Sequence, residues 1–330
     1  MRGAVTYRVL KLAEKASGPW CKPIMVCSNS ITGGPIPPAG RDVLAALAGD
    51  GAVVVAARTF AGSFSNYTCL VRLRTRRGTM ERVVLRRFSV EGEIAARRAH
   101  AEFGALKLLR GSGVPVPDAL YLDPTGEVLG RPGLVTSFIE GRQVYDPENT
   151  SAWARALASA LASIHSVRYE PARMAFLFDG NHIGTWFLRD EAAAGQITAA
   201  PGGEDVIRQV RGLYASLAPD RPSLIHVDFW PGNVLWDAGR ISAVVDWEEA
   251  SYGDPAFDLG YLRANIARRG LDKAGDDLLE AYEAETGAPV KNLGLWELSA
   301  CARAMPNVSV RIANERMRSF IEGARRRAGL

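Results

Sequence analysis

The chain reads as an α+β protein whose first part is built on strands and whose second part is mainly helical. Three observations lead there. Residues 52–137 carry short β-branched, alternating runs broken by Gly, Ser and Asn turns, the mark of antiparallel strands. From Trp153 onward apolar residues recur at helical spacing, first in the Ala-rich run that ends at His165. One strong hairpin interrupts the helices, with Val234 to Trp236 and Ile241 to Val245 flanking the turn Asp237-Ala238-Gly239.

Residues 1–40 are the least regular. A short helical pattern, Tyr7 to Lys15, precedes a Pro/Gly/Ser-rich run from Ser28 to Gly40, a region that reads as an N-terminal extension, a substrate-specific arm or a misassigned start. From Arg41 the pattern sharpens: Asp42 is placed to cap a helix through Leu47, and Ala52 to Arg58 forms a first strand. A small-residue turn, Thr59 to Thr68, leads into the alternating run Cys69 to Leu73. The strand Glu81 to Phe88 follows, with Arg86 and Arg87 on opposite faces and Arg87 expected in solvent. A helix spans Glu93 to Leu109 and stops at Gly111-Ser-Gly113. Two strands flank the turn that begins at Asp123, and the second runs into Leu134 to Gly141. Further helices are expected over Glu204 to Leu217, Leu271 to Glu285 and Leu293 to Phe320. Phe176, Phe178, Trp186 and Phe187 suit a pocket wall or a core equally well.

Composition narrows the class. The 330 residues, 47% hydrophobic and 23% charged, suffice for one large or two modest domains with a substantial core. Net charge is only +4 and the arginines are scattered, which does not point to nucleic acid. The tail Arg325-Arg326-Arg327 reads as a solvated helix end. Four cysteines, Cys21, Cys27, Cys69 and Cys301, lack C-x-x-C spacing, so neither a zinc site nor a disulfide scaffold is expected. No apolar run has the length of a membrane span, and the early apolar stretches are too broken for a signal-peptide core. A cytoplasmic protein without a membrane partner is the simplest expectation.

Chemistry-bearing residues concentrate between Leu224 and Leu262. His226, Asp228 and Asn233 share one short loop before the hairpin, and Asp246 ends its second strand. A residue at the start of a hairpin lies beside one at its end, so Asp228, Asn233 and Asp246 converge. Oxygen donors in that number suit Mg²⁺, which takes one or two protein oxygens and shares the rest of its shell with phosphates. Phosphoryl transfer needs such a metal and an acceptor for the proton of the attacking hydroxyl. The absence of a G-x-x-x-x-G-K-[ST] run disfavours a Walker-type ATPase.

This stretch resembles the aminoglycoside phosphotransferase/choline kinase family, relatives of the protein kinases. The family's H-x-D-x-x-x-x-N motif stands here as His226 to Asn233, its metal-binding Asp as Asp246 in Val-Val-Asp-Trp-Glu, and its Gly-Asp-Pro-x-x-Asp-Leu segment as Gly253 to Leu259. The resemblance implies a two-lobed protein-kinase-like fold, with an antiparallel β-sheet N-lobe over 41–140 and a mainly α-helical C-lobe over 141–330. It implies transfer of the γ-phosphoryl group of ATP (or GTP) to a hydroxyl of a small-molecule acceptor. Asp228 would be the catalytic base, Asn233 and Asp246 the Mg²⁺ ligands, His226 an orienting residue, and Asp258 a brace from a helix that Asp254 can cap.

Further roles follow from the same resemblance. Gly62, Ser65, Asn66 and Thr68 match the family's Gly-x-x-Ser-Asn-x-Thr, so Ser63, Ser65 and Asn66 would cover the nucleotide phosphates; alone, they make a plain hairpin turn. Arg86 stands where many relatives carry Lys, with Glu102, or less well Glu93, to hold it. Ser137 and Ile139 fall at the hinge that would contact the base, and His165 is a packed residue. Asp190, Glu191, Glu204, Asp205, Glu248 and Glu249 could line an acidic acceptor pocket. The Asp-Phe-Gly and Ala-Pro-Glu landmarks of protein kinases are missing, since Trp247 and Glu248 follow Asp246. A nucleotide-binding pseudokinase is the alternative in another functional class.

Overall fold

Five antiparallel strands, β1 (Val53–Thr59), β2 (Asn66–Arg74), β3 (Met80–Phe88), β4 (Ala119–Asp123) and β5 (Gly133–Ser137), form one sheet in the order β1-β2-β3-β5-β4. The structure is a computed structural model that describes residues 34–60, 66–170, 175–217, 222–307 and 313–330. Gly62, Ser63, Ser65, Cys21, Cys27 and the 7–15 segment therefore lie outside the described residues. Alternation along the central strands sorts the two faces. Val71, Leu73, Val83 and Leu85 pack with Ile36, Leu44 and Leu129 on one side. Phe88 belongs to the larger core, which continues into the second lobe.

Helix α1 (Pro38–Leu47) covers the first of those faces, and three sequence expectations change with it. Asp42 is not the cap: the helix starts at Pro38, where a fixed φ and a missing N–H are both tolerated. Residues 34–40, read as extension, are packed on the N-lobe through Ile36 and Gly40. Arg87 is the larger correction. It is fully buried, because its face of β3 is the one that α1 and the preceding segment cover. Its guanidinium donates to the carbonyls of Gly34 (3.0 Å), Leu129 (3.4 Å) and Pro35 (3.5 Å), and burial draws its pKa down.

Helix α2 (Glu93–Leu109) lies between β3 and β4 in sequence and faces the cleft with Glu102. After β5 the chain makes β6 (Arg142–Gln143) and enters the helical lobe at α3 (Thr150–Ser166), capped by Asn149. The lobe continues with β7 (Phe178–Asp179), α4 (Gly180–Gly184), α5 (Glu191–Thr198), α6 (Gly203–Ala215) and β8 (Ser223–Ile225). Next come the hairpin β9 (Val234–Asp237) and β10 (Arg240–Val244), β11 (Ser251–Gly253), α7 (Ala256–Arg268) and α8 (Asp272–Thr286). Strand β6 pairs with β9 and so extends the hairpin, while β11 pairs with β7 and β8 in a separate three-stranded sheet.

The expected helix Leu293 to Phe320 is two helices, α9 (Leu293–Ala304) and α10 (Ala313–Arg327). Pro306, which lacks an N–H and disfavours the helical conformation before it, sits in the 3₁₀ turn after α9. Nor is the arginine tail wholly solvated. Arg327 Nε reaches Glu297 Oε2 at 2.6 Å, because Glu297 is fully buried and Arg263 (2.7 Å) meets only one of its oxygens. Of the four aromatics, Phe178 and Phe187 are buried core, and Phe176 and Trp186 pack against it. The Phe176 ring lies 2.5 Å from where a Cβ on Gly104 would sit, so α2 needs glycine there. No described helix is long and apolar enough to cross a membrane.

Candidate active site

Strand β8 delivers the chain into the 226–233 loop, and β10 delivers it to Asp246. Both arrivals are strained: Val227 has φ 72° and Asp246 has φ 70°, values unfavourable for side chains with a Cβ and costliest for a β-branched one. Buried hydrogen bonds offset that strain. Asp258, in the first turn of α7 and fully buried, accepts the backbone N–H of His226 and of Val227, each at 2.7 Å. His226 Nε2 donates to the Val245 carbonyl at 2.9 Å, so one imidazole ties the loop to the residue before Asp246. Burial lowers the His226 pKa against the pull of Asp258 and that carbonyl, which keeps the ring neutral. Its other nitrogen, Nδ1, is buried with no partner, as the tautomer protonated on Nε2 allows.

Asp258 is braced in turn. His165 Nε2 lies 3.3 Å from its Oδ2, and His165 Nδ1 lies 2.8 Å from the Tyr282 hydroxyl. Asp254 is the foot of the same helix: its carboxylate accepts the Ala256 N–H (2.9 Å), the Asn292 amide (2.8 Å) and the Trp296 indole (2.9 Å).

The hairpin brings Asp228, Asn233 and Asp246 together. Asn233 Nδ2 donates to Asp228 Oδ2 and to the Asp228 backbone carbonyl, both at 2.9 Å, and the Asn233 backbone carbonyl accepts the Val245 N–H at 2.9 Å. Burial first, then the charge of Asp246, raises the Asp228 pKa to about 6; Tyr261, Arg303 and Asn233 pull the other way. Among the described residues no three His, Cys, Asp or Glu side chains cluster as a metal cage. The oxygens present are a carboxylate and an amide beside a second carboxylate, a set that suits a hard cation sharing its shell with phosphates.

The opposite wall is ionic. Arg86 Nε lies 3.1 Å from Glu102 Oε2, and its Nη2 contacts Asp246 Oδ1 and, at 2.7 Å, Glu248 Oε2. Burial works against the Arg86 charge, yet Asp246, Glu102 and Glu248 outweigh it and raise its pKa. Burial also raises Glu102 to about 8, opposed by Arg86 and helped by Asp246 and Glu248. Arg98, one helical turn before Glu102, bridges Glu248 and Glu249 at 3.0 Å each. Asn66 Nδ2 donates to Glu248 Oε2, and Asn66 Oδ1 accepts the Ser89 N–H at 3.4 Å.

Of the sequence-predicted residues, then, Asp228, Asn233, Asp246, Asn66, Arg86 and Glu102 meet in one network of side-chain contacts, with His226 and Asp258 bonded to its loop. Ser137 and Ile139 sit where the lobes join, but the Ser137 hydroxyl is occupied by the Asp118 N–H at 2.8 Å. The acidic candidates do not assemble. Asp190 caps α5, Asp205 pairs with Arg208, and Glu191 and Glu204 are exposed on first helical turns. Glu248 and Glu249 are taken by arginines. Arg98, Tyr261 and Arg303 were missed; Arg98 carried a signal, its i,i+4 spacing to Glu102.

The chain is similar to known proteins in sequence and in fold. The sequence profile of the phosphotransferase enzyme family matches residues 56–293. The chain is 36% identical over 88 residues to the hygromycin-B 4-O-kinase of Escherichia coli, covering 23% of this chain and 26% of that one. It is 29% identical over 214 residues to acyl-CoA dehydrogenase family member 10 of Mus musculus, covering 60% of this chain and 19% of that one. The chain thus spans about a fifth to a quarter of the length of these curated relatives. The fold matches aminoglycoside phosphotransferase APH(4)-Ia, solved as a thermostable mutant with AMP-PNP and hygromycin B, at TM-score 0.56 and 16% identity over 88% of this chain and 99% of that one.

Proposed function

The chain belongs to the phosphotransferase enzyme family, and from that premise we propose that it is a kinase transferring the γ-phosphoryl group of ATP or GTP to a hydroxyl of a small molecule. The observation that carries the reading is the convergence of Asp228 with Asn233 and Asp246, with Asp228 raised to about 6. A carboxylate so placed is ionised at neutral pH yet more basic than a solvated one.

In this reading the acceptor oxygen attacks the γ-phosphorus, the bond to the bridging oxygen breaks, and the nucleoside diphosphate leaves. The hydroxyl proton passes to an Asp228 oxygen. Mg²⁺, when bound, neutralises phosphate charge; Asn233 and Asp246 would hold it. Arg86, buttressed by Glu102 and Glu248, would position the phosphates, while Ser63, Ser65 and Asn66 would cover them. Ser137 and Ile139 would flank the base at the hinge, and His226 and Asp258 keep the loop in its strained form. Few groups need be reactive, because positioning and charge neutralisation supply most of the rate. No nucleic-acid or membrane partner enters this reading, and a cytoplasmic setting would supply the nucleotide.

The test is a panel of metabolites and antibiotics with γ-labelled ATP and Mg²⁺, scored for label on the acceptor. Transfer to at least one small hydroxyl compound is expected. Mg-ATP binding without transfer to any member would favour a pseudokinase.

A further inference from the structure

Two side chains stand beside Asp228 that nucleotide and metal do not require: Tyr261 on α7 and Arg303 on α9. Tyr261 hydrogen-bonds the Asp228 side chain, and Arg303 stands against the Tyr261 ring, which places both near that carboxylate. The Arg303 guanidinium lies 5.1 Å from the centroid of the Tyr261 ring and 5.6 Å from that of Phe257. Those two rings are themselves stacked, 6.3 Å apart and 9° from parallel, so they form a platform that fixes the guanidinium. Yet among the described residues no carboxylate lies within ion-pair distance of Arg303, and its Nη1, like Arg86 Nε, is buried without a hydrogen-bond partner. Arg86 and Arg98, across the cleft, are each held by two or more carboxylates.

A guanidinium left with an unmet donor in a desolvated place is unfavourable until an acceptor arrives. Its planar fork matches a carboxylate or a phosphate. A polycationic acceptor would meet the reverse of what it needs, since Asp190, Glu191, Glu204 and Asp205 are spent on helix ends and the surface and Glu248 and Glu249 on arginines. We propose that Arg303 receives an anionic group, a carboxylate or phosphate, carried by the acceptor, so that the substrate is an anionic hydroxy compound. The inference rests on the phosphotransferase reading of the Asp228 loop.

Three probes that share a secondary hydroxyl and differ in charge test it: 3-hydroxybutyrate, its methyl ester and 4-amino-2-butanol, each with labelled ATP and Mg²⁺. The wild type should favour the anion over the ester by about 10–100-fold in kcat/KM, the worth of a charge-assisted hydrogen bond. Glycerol 3-phosphate, which carries a secondary hydroxyl and a phosphate but no carboxylate, added as a fourth acceptor distinguishes carboxylate from phosphate recognition. In Arg303→Gln the loss should fall on the KM of the anion, at least ~10-fold beyond any loss for the ester; Arg303→Lys should recover part of it. Melting temperature and calorimetric Mg-ATP affinity of the variants show that fold and nucleotide site persist. A wild type that prefers the amine, or shows no charge preference, overturns the inference and leaves the kinase reading standing. So does an Arg303→Gln loss equal across the probes. Transfer to none of them overturns it too, and transfer or its absence on the metabolite and antibiotic panel then decides whether the kinase reading falls with it.

Discussion

On the C-lobe wall, the Asp228 loop is held by hydrogen bonds aimed at backbone groups, whereas on the N-lobe wall Arg86 is held by ion pairs to Asp246 and Glu248, beside a Glu102 that burial raises to about 8. The first kind of support is directional, deeply buried and indifferent to salt, so it fixes a strained backbone in one geometry. The second can exchange partners: a phosphate arriving at Arg86 competes with carboxylates already there, and a cation arriving at Asp246 competes with Arg86. In the proposed reading, one wall would be preorganised and the other rearranged by its ligand. The difference fits what phosphoryl transfer demands, a base in register and a phosphate site able to let go of its product.

The largest test strikes the preorganised wall. Asp228→Asn keeps the shape of the side chain and removes its basicity, so turnover should fall ~10²–10⁴-fold with Mg-ATP affinity nearly kept. Wild-type turnover should also decline below about pH 6, where Asp228 takes up a proton, and the variant should lack that limb. Full turnover in Asp228→Asn would leave the base unassigned. Next in size is Asp258→Ala. It strands the N–H groups of His226 and Val227, each costing about 1–3 kcal/mol when buried and unmet. Urea denaturation should show a loss of roughly 2–5 kcal/mol. Asp258→Asn, which retains one acceptor, should fall between; an unchanged midpoint in both would mean that the loop supports itself.

The rearranging wall is tested by two adjacent arginines on opposite faces of β3. Arg86→Ala should weaken Mg-ATP by about 10–100-fold, the value of a charge-assisted contact. Arg87→Ala should leave nucleotide affinity alone and lower the melting temperature, since Arg87 ties the carbonyls of Gly34, Pro35 and Leu129 to the sheet. Calorimetry and thermal melts of both variants give the comparison. The opposite order would assign the phosphates to the wrong face of the strand.

That pair also shows how far the sequence could be read. Arg86 and Arg87 were placed on opposite faces by strand alternation alone, because that rule is local. The fate of Arg87 depended on residues 34–37 and Leu129 arriving from elsewhere, which no local pattern announces. Asp228, Asn233, Asp246 and Asp258 were legible for the same reason as Arg86: one hairpin and one helix start, all within Leu224 to Leu262, bring them together. Glu248 was read as a pocket acid, since its arginine partners lie on β3 and α2, far away in sequence. Arg303 and Tyr261 gave no signal, being single polar residues on helices that otherwise read as core. Helix α9 was read through Pro306 because the apolar spacing continued beyond it, and there the backbone constraint prevailed over the pattern.

The smallest expected effect concerns stability and sharpens the comparison most. Asp228 rises from an ordinary 3.8 to about 6 on folding, chiefly by burial. Between those values the folded chain holds a proton that the unfolded chain has released. The stabilisation from that proton is complete below the unfolded value and is lost as pH rises through the folded one. At neutral pH, therefore, ionised Asp228 works against the fold. In protein free of nucleotide and metal, Asp228→Asn should melt higher than wild type near ~pH 7.5, and that advantage should vanish as pH approaches ~4. Thermal melts across that range measure it. The gain in stability alongside the loss of turnover would mark Asp228 as a residue kept for chemistry at a cost to the fold. If Asp228→Asn instead melts lower at neutral pH, the Asn233 bond and the Tyr261 and Arg303 interactions outweigh burial, and the C-lobe wall is held by charge as much as its neighbour.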